Sequence, residues 1–283
     1  KTLNQSYLSE NLLTYNTRIG KNQKIDALAG FTYQYAKNTL RSFRVTNIPE
    51  AQENFGIESF YTGVASAPNT NGSQWQMYSF LSRINYTAFD KYLLTVSARS
   101  DGSSKFVPGK QWGFFPSGAV AWRFSEEAFM KGINKILNDG KLRVSYGSVG
   151  NNKVGDFSYL SQMTLNYATG YPFNNSYSMG LAPFFYGNDQ LTWETTTELD
   201  LGLSLGFFKN RLSVEADYYN KKTVDFLLGV QIASLAGYSN GANTQYQNTG
   251  SVRNRGFEFT LNSVNIKKKN FGWSTDFNIA FNK

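Results

Sequence analysis

Hydrophobic and polar residues alternate strictly on both sides of a short polar turn in the second half of the chain. Leucines and one phenylalanine occupy every second position of residues 199–207, with acidic or small residues between them. After the turn at residues 208–210, apolar residues again occupy every second position of residues 212–218. This alternation predicts an antiparallel β-hairpin. The whole stretch runs from Thr197 to Tyr219, so each arm is about ten residues long. This is enough for a tilted strand to cross a bilayer, whereas strands of soluble sheets usually have about five or six residues. We therefore predict one hairpin of a transmembrane β-barrel, with its leucine face toward lipid.

The same alternation elsewhere predicts an all-β, antiparallel transmembrane barrel wall of about ten strands. The predicted strands are residues 13–19, 25–35, 80–88, 92–98, 118–124, 142–146, 199–207, 212–218, 257–261 and 271–281. Short and long connections follow one another without exception. The short connections are residues 20–24, 89–91, 125–139, 208–210 and 266–270. The long connections are residues 37–77, 100–111, 148–196 and 221–252. Outer-membrane barrels separate short periplasmic turns from long extracellular loops in this way.

Two of the connections carry local signals of their own. Ser125 is a candidate helix N-cap followed by two acidic residues, and apolar residues recur at helical spacing from Phe129 to Leu137. A short helical turn is therefore predicted within residues 125–139. Residues 225–232 are apolar enough to predict a short strand or packed segment within the last long connection.

A soluble β-sandwich is the alternative fold, because its strands also alternate apolar and polar residues. Sandwiches rarely combine strands this long with loops of about forty residues at one end, since loops beyond about 15 residues are uncommon in compact domains. The two folds differ in where the apolar side chains lie. In a sandwich they would be enclosed between two stacked layers, and the residues that test this are Leu201, Leu203, Val214 and Phe259.

Composition narrows the functional classes. Aromatic residues make up 16% of the chain and charged residues only 17%, and no run approaches the roughly 18 apolar residues of a membrane-spanning helix. There is no cysteine and no histidine, so disulfides, thiolate chemistry and a Ser–His–acid triad are excluded within these residues. The net charge of +8 could attract nucleic acid or an anionic surface, but the basic residues are scattered. We interpret them as solvent-exposed residues of turns and loop tips, and predict no nucleic-acid partner.

Candidate catalytic residues are limited to four carboxylates on the two arms of the first hairpin. They could form the acid and base pair of a glycoside hydrolase, and they are Glu198, Asp200, Glu215 and Asp217. The alternative, which we favour, is that they line the lumen of a barrel, matched by the arginines Arg99, Arg143 and Arg211. No glycine-rich phosphate loop or zinc-ligand spacing is present. We predict no catalytic, cofactor-binding or metal site, and no enzymatic activity.

Aromatic residues in the long connections are the candidate contacts for a ligand or a partner. They are Trp75, Tyr171, Phe173, Tyr177, Phe185, Tyr186 and Trp193. Aromatic faces can stack on sugar rings, but aromatic residues are also enriched at protein interfaces, and packing or partner docking is the favoured alternative. A second aromatic group lies at the short-turn end, where an interfacial girdle is expected: Phe89, Phe124, Phe207 and Phe208.

Several spaced motifs resemble the SusC/RagA class of TonB-dependent outer-membrane receptors of Bacteroidetes-type bacteria. In order along the chain they are ARSDGSSKF (98–106), WGFFPS (112–117), LRVSYGSVGN (142–151), TELDLG (197–202), DYYNK (217–221) and NTGSVRNRGFE (248–258). Their order and spacing resemble the second half of that family's barrel, so the resemblance covers most of residues 78–283.

The resemblance implies a barrel of about 22 strands closed by an N-terminal plug. It further implies import of glycans or peptides, a SusD-like surface lipoprotein at the extracellular mouth, and energy supplied by TonB through a TonB box. We identify neither plug nor TonB box in residues 1–283 and expect a partial barrel domain from the C-terminal part of a longer receptor. The functional alternative is an outer-membrane surface-binding or adhesive β-protein that transports nothing. A carbohydrate-active β-sandwich enzyme is a weaker third hypothesis.

Overall fold

A single ten-stranded antiparallel sheet organises the computed structural model, which describes residues 2–66, 68–233 and 244–283. The described residues form sixteen strands. They are β1 (Thr2–Ile19), β2 (Gln23–Ser42), β3 (Val45–Thr46), β4 (Val64–Ala65), β5 (Asn69–Ala88), β6 (Tyr92–Ser103), β7 (Trp112–Trp122), β8 (Leu137–Asn151), β9 (Gln162–Phe173), β10 (Ser176–Phe185), β11 (Glu194–Phe207), β12 (Leu212–Val224), β13 (Leu227–Gln231), β14 (Thr244–Asn248), β15 (Ser251–Lys268) and β16 (Phe271–Asn282).

The sheet is a meander in which each strand pairs with the next long strand along the chain. Its order is β1-β2-β5-β6-β7-β8-β11-β12-β15-β16, and every pairing is antiparallel. The predicted ten-stranded wall is therefore confirmed. The other six strands form three small hairpins inside long connections: β3 with β4, β9 with β10, and β13 with β14. Within the described ranges, no helix is both long and apolar enough to span a membrane.

The predicted hairpin in the second half of the chain is present as β11 and β12. The register pairs Leu201 with Tyr218 and Leu205 with Val214, so apolar residues face apolar residues across the two strands. The same alignment continues over the whole sheet, where Val144 of β8 pairs with both Val120 and Leu201. One surface of the sheet is thus apolar from edge to edge, and we call it the apolar face. The opposite surface is called the polar face.

The sandwich alternative fails on the exposure of the apolar face. Leu201 is 39% exposed, and Leu203, Val214 and Phe259 are only half-buried. In the part of the chain that the structure describes, no second sheet covers these side chains. They do not lie in a dry interior between two layers, so the single-wall prediction holds.

The long connections were predicted too long, because several strands continue beyond their apolar segments. The predicted loop at 37–77 is wrong at both ends, since β2 continues to Ser42 and β5 begins at Asn69, with Leu40 paired to Asn71. The predicted loops at 100–111, 148–196 and 221–252 are shortened in the same way, although residues 234–243 of the last one lie outside the described residues. Beyond the apolar band both faces meet polar surroundings, so the alternation disappears while the backbone hydrogen bonds continue.

Three further boundaries differ from the prediction. The strand predicted at 118–124 is β7, which begins earlier, at Trp112, and ends at Trp122. β1 begins eleven residues earlier than predicted, at Thr2. The predicted helical turn at 125–139 consists of two 3₁₀ turns, Phe124–Glu126 and Ala128–Met130, before β8 begins at Leu137. Ser125 does not cap a helix, and its buried hydroxyl has no hydrogen-bond partner among the described residues. The predicted short strand within 225–232 is confirmed as β13.

Candidate functional site

The polar face of the sheet carries side chains that hydrogen-bond across neighbouring strands. The Arg99 guanidinium donates to the Asp101 carboxylate at 2.7 Å and to the Ser79 hydroxyl at 3.0 Å, which links β6 to β5. The Ser97 and Ser117 hydroxyls are 2.6 Å apart and link β6 to β7. These pairs satisfy polar groups that face away from the apolar surface, as the wall of a water-filled or protein-filled lumen requires.

An ion pair on this face crosses one complete strand. Arg143 on β8 donates from Nη2 to Asp217 Oδ1 on β12 at 2.7 Å, although β11 lies between these two strands. The crossing is possible because Gly202 occupies the intervening position, paired with both residues. A Cβ atom at Gly202 would lie 2.7 Å from Arg143 Nε and even closer to the Asp217 carboxylate. Glycine at this position therefore provides the space in which the two charges meet.

The four candidate catalytic carboxylates share the polar face, but of the three arginines expected to match them only Arg143 pairs with one. Arg99 pairs instead with Asp101, and Arg211 donates to the backbone carbonyls of Val264 and Asn265. Three of the carboxylates line an open cavity of about 640 Å³ on this side of the sheet, together with Arg143: Glu198, Asp200 and Asp217. Glu215 does not line it. Because the Asp217 carboxylate is held in an ion pair with Arg143, the arrangement favours wall lining over an acid–base pair. No group of three or more potential metal ligands occurs in the described ranges.

A second open cavity, of about 460 Å³, lies beside the first toward the long connections. Its lining combines Arg83, Arg99 and Asp101 with the rings of Phe115 and Trp193. Pockets that recognise organic ligands commonly pair apolar surface with a few fixed charges.

The long connections meet in a compact apolar cluster. Its buried members are Phe106, Phe115, Val154, Leu191, Trp193 and Leu227. The Trp193 ring lies 5.4 Å from both Phe106 and Phe115, and its Nε1 donates to the Gln111 carbonyl at 2.9 Å. Gly150 leaves room for Phe115, since a Cβ atom there would lie 2.5 Å from Phe115 Cε1. This cluster fixes the connections on the end of the sheet.

The structure distributes the seven predicted contact residues over three environments. Trp193 is only 6% exposed, which favours a packing role over direct ligand contact. Trp75 is half-buried on β5, with Lys105 Nζ 5.6 Å above its ring, and the same ammonium group donates to the Val154 carbonyl at 3.0 Å. The remaining five lie on or just after the β9–β10 hairpin: Tyr171, Phe173, Tyr177, Phe185 and Tyr186.

The β9–β10 hairpin presents the most exposed members of this set. Tyr171 is 68% exposed, Phe173 69% and Tyr177 49%, whereas Phe185 and Tyr186 are half-buried. Sequence reasoning missed the aliphatic residues beside them, because it considered aromatic rings only. Met163 and Leu181 on the same hairpin are 53% and 62% exposed, so the hairpin carries an apolar surface in addition to its rings.

Sequence reasoning also missed the amide side chains that hold the connections together. The Asn248 side chain accepts from the Thr192 backbone N–H at 2.9 Å and donates to the Thr192 carbonyl at 2.8 Å and to the Asp225 carbonyl at 2.9 Å. Asn188 donates to the Tyr246 carbonyl at 2.9 Å. The signal was the motif at 248–258, which begins with Asn248, but spacing alone did not indicate what that amide binds.

At the opposite end of the sheet, one carboxylate is surrounded by donors. Glu127 accepts hydrogen bonds from the Tyr92 hydroxyl at 2.7 Å, from Lys91 Nζ at 3.0 Å and from Trp122 Nε1 at 3.2 Å. These hydrogen bonds lower the pKa of Glu127 from its ordinary value of 4.5 to about 2, and the bond from Tyr92 has the largest effect. The charged form of Glu127 therefore joins the β5–β6 turn to the connection between β7 and β8.

Comparison with known proteins gives one consistent result. A family model described as "TonB dependent receptor-like, beta-barrel" matches residues 2–283. TonB-dependent receptor P3 of Formosa agariphila is 36% identical over 281 residues, which is 98% of this chain and 27% of that protein. TonB-dependent receptor SusC of Bacteroides thetaiotaomicron is 39% identical over 210 residues, 73% of this chain and 20% of that protein.

Solved structures agree with the sequence comparison. The structure of the RagAB peptide transporter superposes with a TM-score of 0.82 at 25% identity, covering 99% of this chain and 30% of that one. The chain thus spans between a fifth and a third of the length of these proteins.

Proposed function

Since the chain belongs to the TonB-dependent receptor-like β-barrel family, and so to the outer membrane, we propose that it forms part of a SusC/RagA-type transporter that imports large nutrients. The observation that carries the proposal is the sheet itself. Its apolar face suits lipid and its polar face, lined by paired charges, suits a transport lumen. Relatives in this family are transport receptors and not enzymes, in agreement with the prediction of no enzymatic activity.

The remaining machinery is also proposed. A SusD-like lipoprotein would cap the long-connection end, and TonB would act through parts of the receptor outside residues 1–283. The chain matches about a quarter of the length of its relatives, which supports the proposal that TonB acts through other parts of the receptor. An adhesive protein without transport is disfavoured, because the matched relatives are receptors of the TonB-dependent class.

Oligosaccharides are the substrate class that we propose for this receptor, and peptides are the second candidate. Exposed rings on the β9–β10 hairpin offer stacking surfaces for sugars. The peptide candidate rests on the similarity to the structure of the RagAB peptide transporter.

The test uses the full-length receptor with its lipoprotein, supplied with labelled oligosaccharide and peptide pools. We expect energy-dependent uptake of oligosaccharide that is lost in cells lacking TonB. The double variant Tyr171→Ala/Phe173→Ala is expected to bind the substrate roughly tenfold more weakly, since two aromatic contacts of about 0.5–1.5 kcal/mol each are lost.

Tyr61→Ala is the matched control, because Tyr61 is 83% exposed but lies in a different long connection. Uptake that continues without TonB would contradict the transport proposal. Unchanged affinity in the double variant would instead remove the hairpin from the ligand site and leave the transport proposal standing.

A further inference from the structure

The connection between β7 and β8, residues 123–136, packs on the apolar face of the sheet. The Phe124 ring covers Gly140, where an added Cβ atom would lie 2.6 Å from Phe124 Cζ, and it also lies 5.9 Å from the Trp122 ring. Glu127 then accepts from Tyr92 and Trp122, which pair directly in register on the apolar face. Residues 123–136 are called the interfacial segment below.

The segment also contacts the neighbouring short turn at 208–210. The Phe208 backbone N–H donates to the Ile136 carbonyl of the segment at 2.8 Å, and the Lys209 N–H donates to the side chain of Asn138, which follows the segment on β8. Phe208, Lys209 and Asn210 all have positive φ, between 54° and 60°, so this turn depends on such support from its surroundings. The segment therefore bridges the β5–β6 turn and the β11–β12 turn along one rim.

The outer surface of this rim is apolar and uncovered. Phe129 is 67% exposed, Ile133 50% and Ile136 52%. On the flanking turns, Phe89 and Phe208 are each 53% exposed. Only Met130 of the segment's large apolar side chains is buried, at 8% exposure. Exposed apolar residues grouped in this way mark an interaction surface.

Two lysines alternate with these apolar side chains. Lys131 and Lys135 are exposed, and among the described residues neither forms an ion pair. Segments that lie in a membrane interface combine buried large apolar side chains with basic residues that reach the headgroups. The apolar rim is continuous with the lipid-facing surface of the wall, so the bilayer is the partner that it meets first.

We propose that the interfacial segment is a phospholipid-binding strap at the periplasmic boundary of the outer membrane. Phe129, Ile133 and Ile136 enter the upper acyl region, and Lys131 and Lys135 bind the phosphates of anionic headgroups. By holding two turns against the same lipid layer, the strap fixes the depth of the wall in the membrane. This inference rests on the membrane location of the family and not on transport, so it can fail while the proposed import holds.

Depth is tested with a fluorescent label at Ile133→Cys in the full-length receptor, reconstituted with lipids that carry a nitroxide high on the acyl chain. Residues 1–283 contain no native cysteine. We expect strong quenching of the label by these lipids and little by aqueous iodide. The control is Lys21→Cys in the β1–β2 turn at the same end, which should show the reverse. Phe129→Cys provides a second position if Ile133→Cys fails to fold.

Headgroup binding is tested by native mass spectrometry with phosphatidylglycerol as the probe. Each basic residue near an anionic surface contributes roughly fivefold to binding, so Lys131→Gln/Lys135→Gln should lower the affinity roughly thirtyfold. Lys21→Gln serves as the charge-matched control and should leave it unchanged. Equal quenching at both label positions, or equal phosphatidylglycerol affinity in the double variant and the wild type, would overturn the proposal.

Discussion

At the scale of single residues, Glu127 has the clearest electrostatic role. Its pKa is lowered to about 2, first by the Tyr92 hydroxyl and then by Lys91 and Trp122. A carboxyl group whose folded pKa is lowered stabilises the folded state fully above its unfolded pKa of about 4.5, and this stabilisation is lost as the pH falls through the folded pKa. The relevant pH window therefore runs from about 4.5 down to about 2.

We predict that Glu127→Gln lowers the urea midpoint of the full-length receptor in detergent at pH 7. The difference from the wild type should shrink below pH 4.5 and vanish near pH 2, where both side chains are neutral. Glu126→Gln is the control, since Glu126 is exposed and adjacent. A Glu127→Gln midpoint that stays below the wild type by the same amount at all pH values would contradict this prediction.

Single residues also show how far sequence reasoning could reach. The apolar face was predictable because Leu201 and its neighbours alternate with small or acidic residues. The role of Trp193 was not, because an aromatic ring in an aperiodic connection can equally bind a ligand or pack in a cluster. Its burial depends on residues distant in sequence, among them Phe106 and Phe115, whose rings pack against it.

At the scale of the strands, the Arg143–Asp217 ion pair joins β8 to β12 and depends on Gly202 of β11, the strand between them. The two side chains are 36% and 25% exposed, so the pair lies between an exposed ion pair and a buried one. Asp200 lines the same cavity as both residues and adds a further negative charge near the pair.

We predict that Asp217→Asn destabilises the barrel by roughly 1–2 kcal/mol, between the values for exposed and buried ion pairs. Gly202→Ala should cost a similar amount, because its methyl group would occupy the space between the two charges. In a double-mutant cycle, the combined variant should lose clearly less than the sum of the two single losses. Additive losses would show that Gly202 serves a different purpose.

Gly118→Ala is the control for this cycle. A Cβ atom at Gly118 would meet nothing nearer than the Thr95 carbonyl oxygen at 3.8 Å. We therefore expect no coupling between Gly118→Ala and Asp217→Asn in urea unfolding.

Strand ends were less predictable than strand centres, for a physical reason. Thr39 and Leu40 of β2 are paired with β5, yet the alternation that identifies a strand is weak there because neither face meets lipid. The β9–β10 hairpin was missed for the same reason. The alternation of apolar and polar residues depends on the environment of each face, whereas the backbone hydrogen bonds between strands do not.

At the scale of the whole molecule, the sheet has two edges. β1 and β16 each pair on one side only within the described residues. An unpaired backbone group in hydrocarbon costs several kcal/mol, so an open sheet is untenable as an isolated structure in a bilayer.

We predict that residues 1–283 produced alone do not insert into liposomes as a folded monomer, while the full-length receptor does. Protection from external protease and a native tryptophan emission spectrum are the measurements. A folded, monodisperse and water-soluble form of residues 1–283 without detergent would contradict the assignment of the apolar face to lipid.

The length of β2 and β5 limits how the long-connection end of the sheet can change in evolution. Each has 20 residues, or roughly 65 Å of strand at about 3.3 Å per residue, so even a tilted strand extends well beyond an apolar band about 25 Å tall. Deleting one residue near Leu40 would turn every later side chain of β2 to the opposite face. We therefore expect this end of β2 and β5 to accept substitutions more readily than insertions or deletions, and expect length changes to be accepted best at residues 47–63, between β3 and β4.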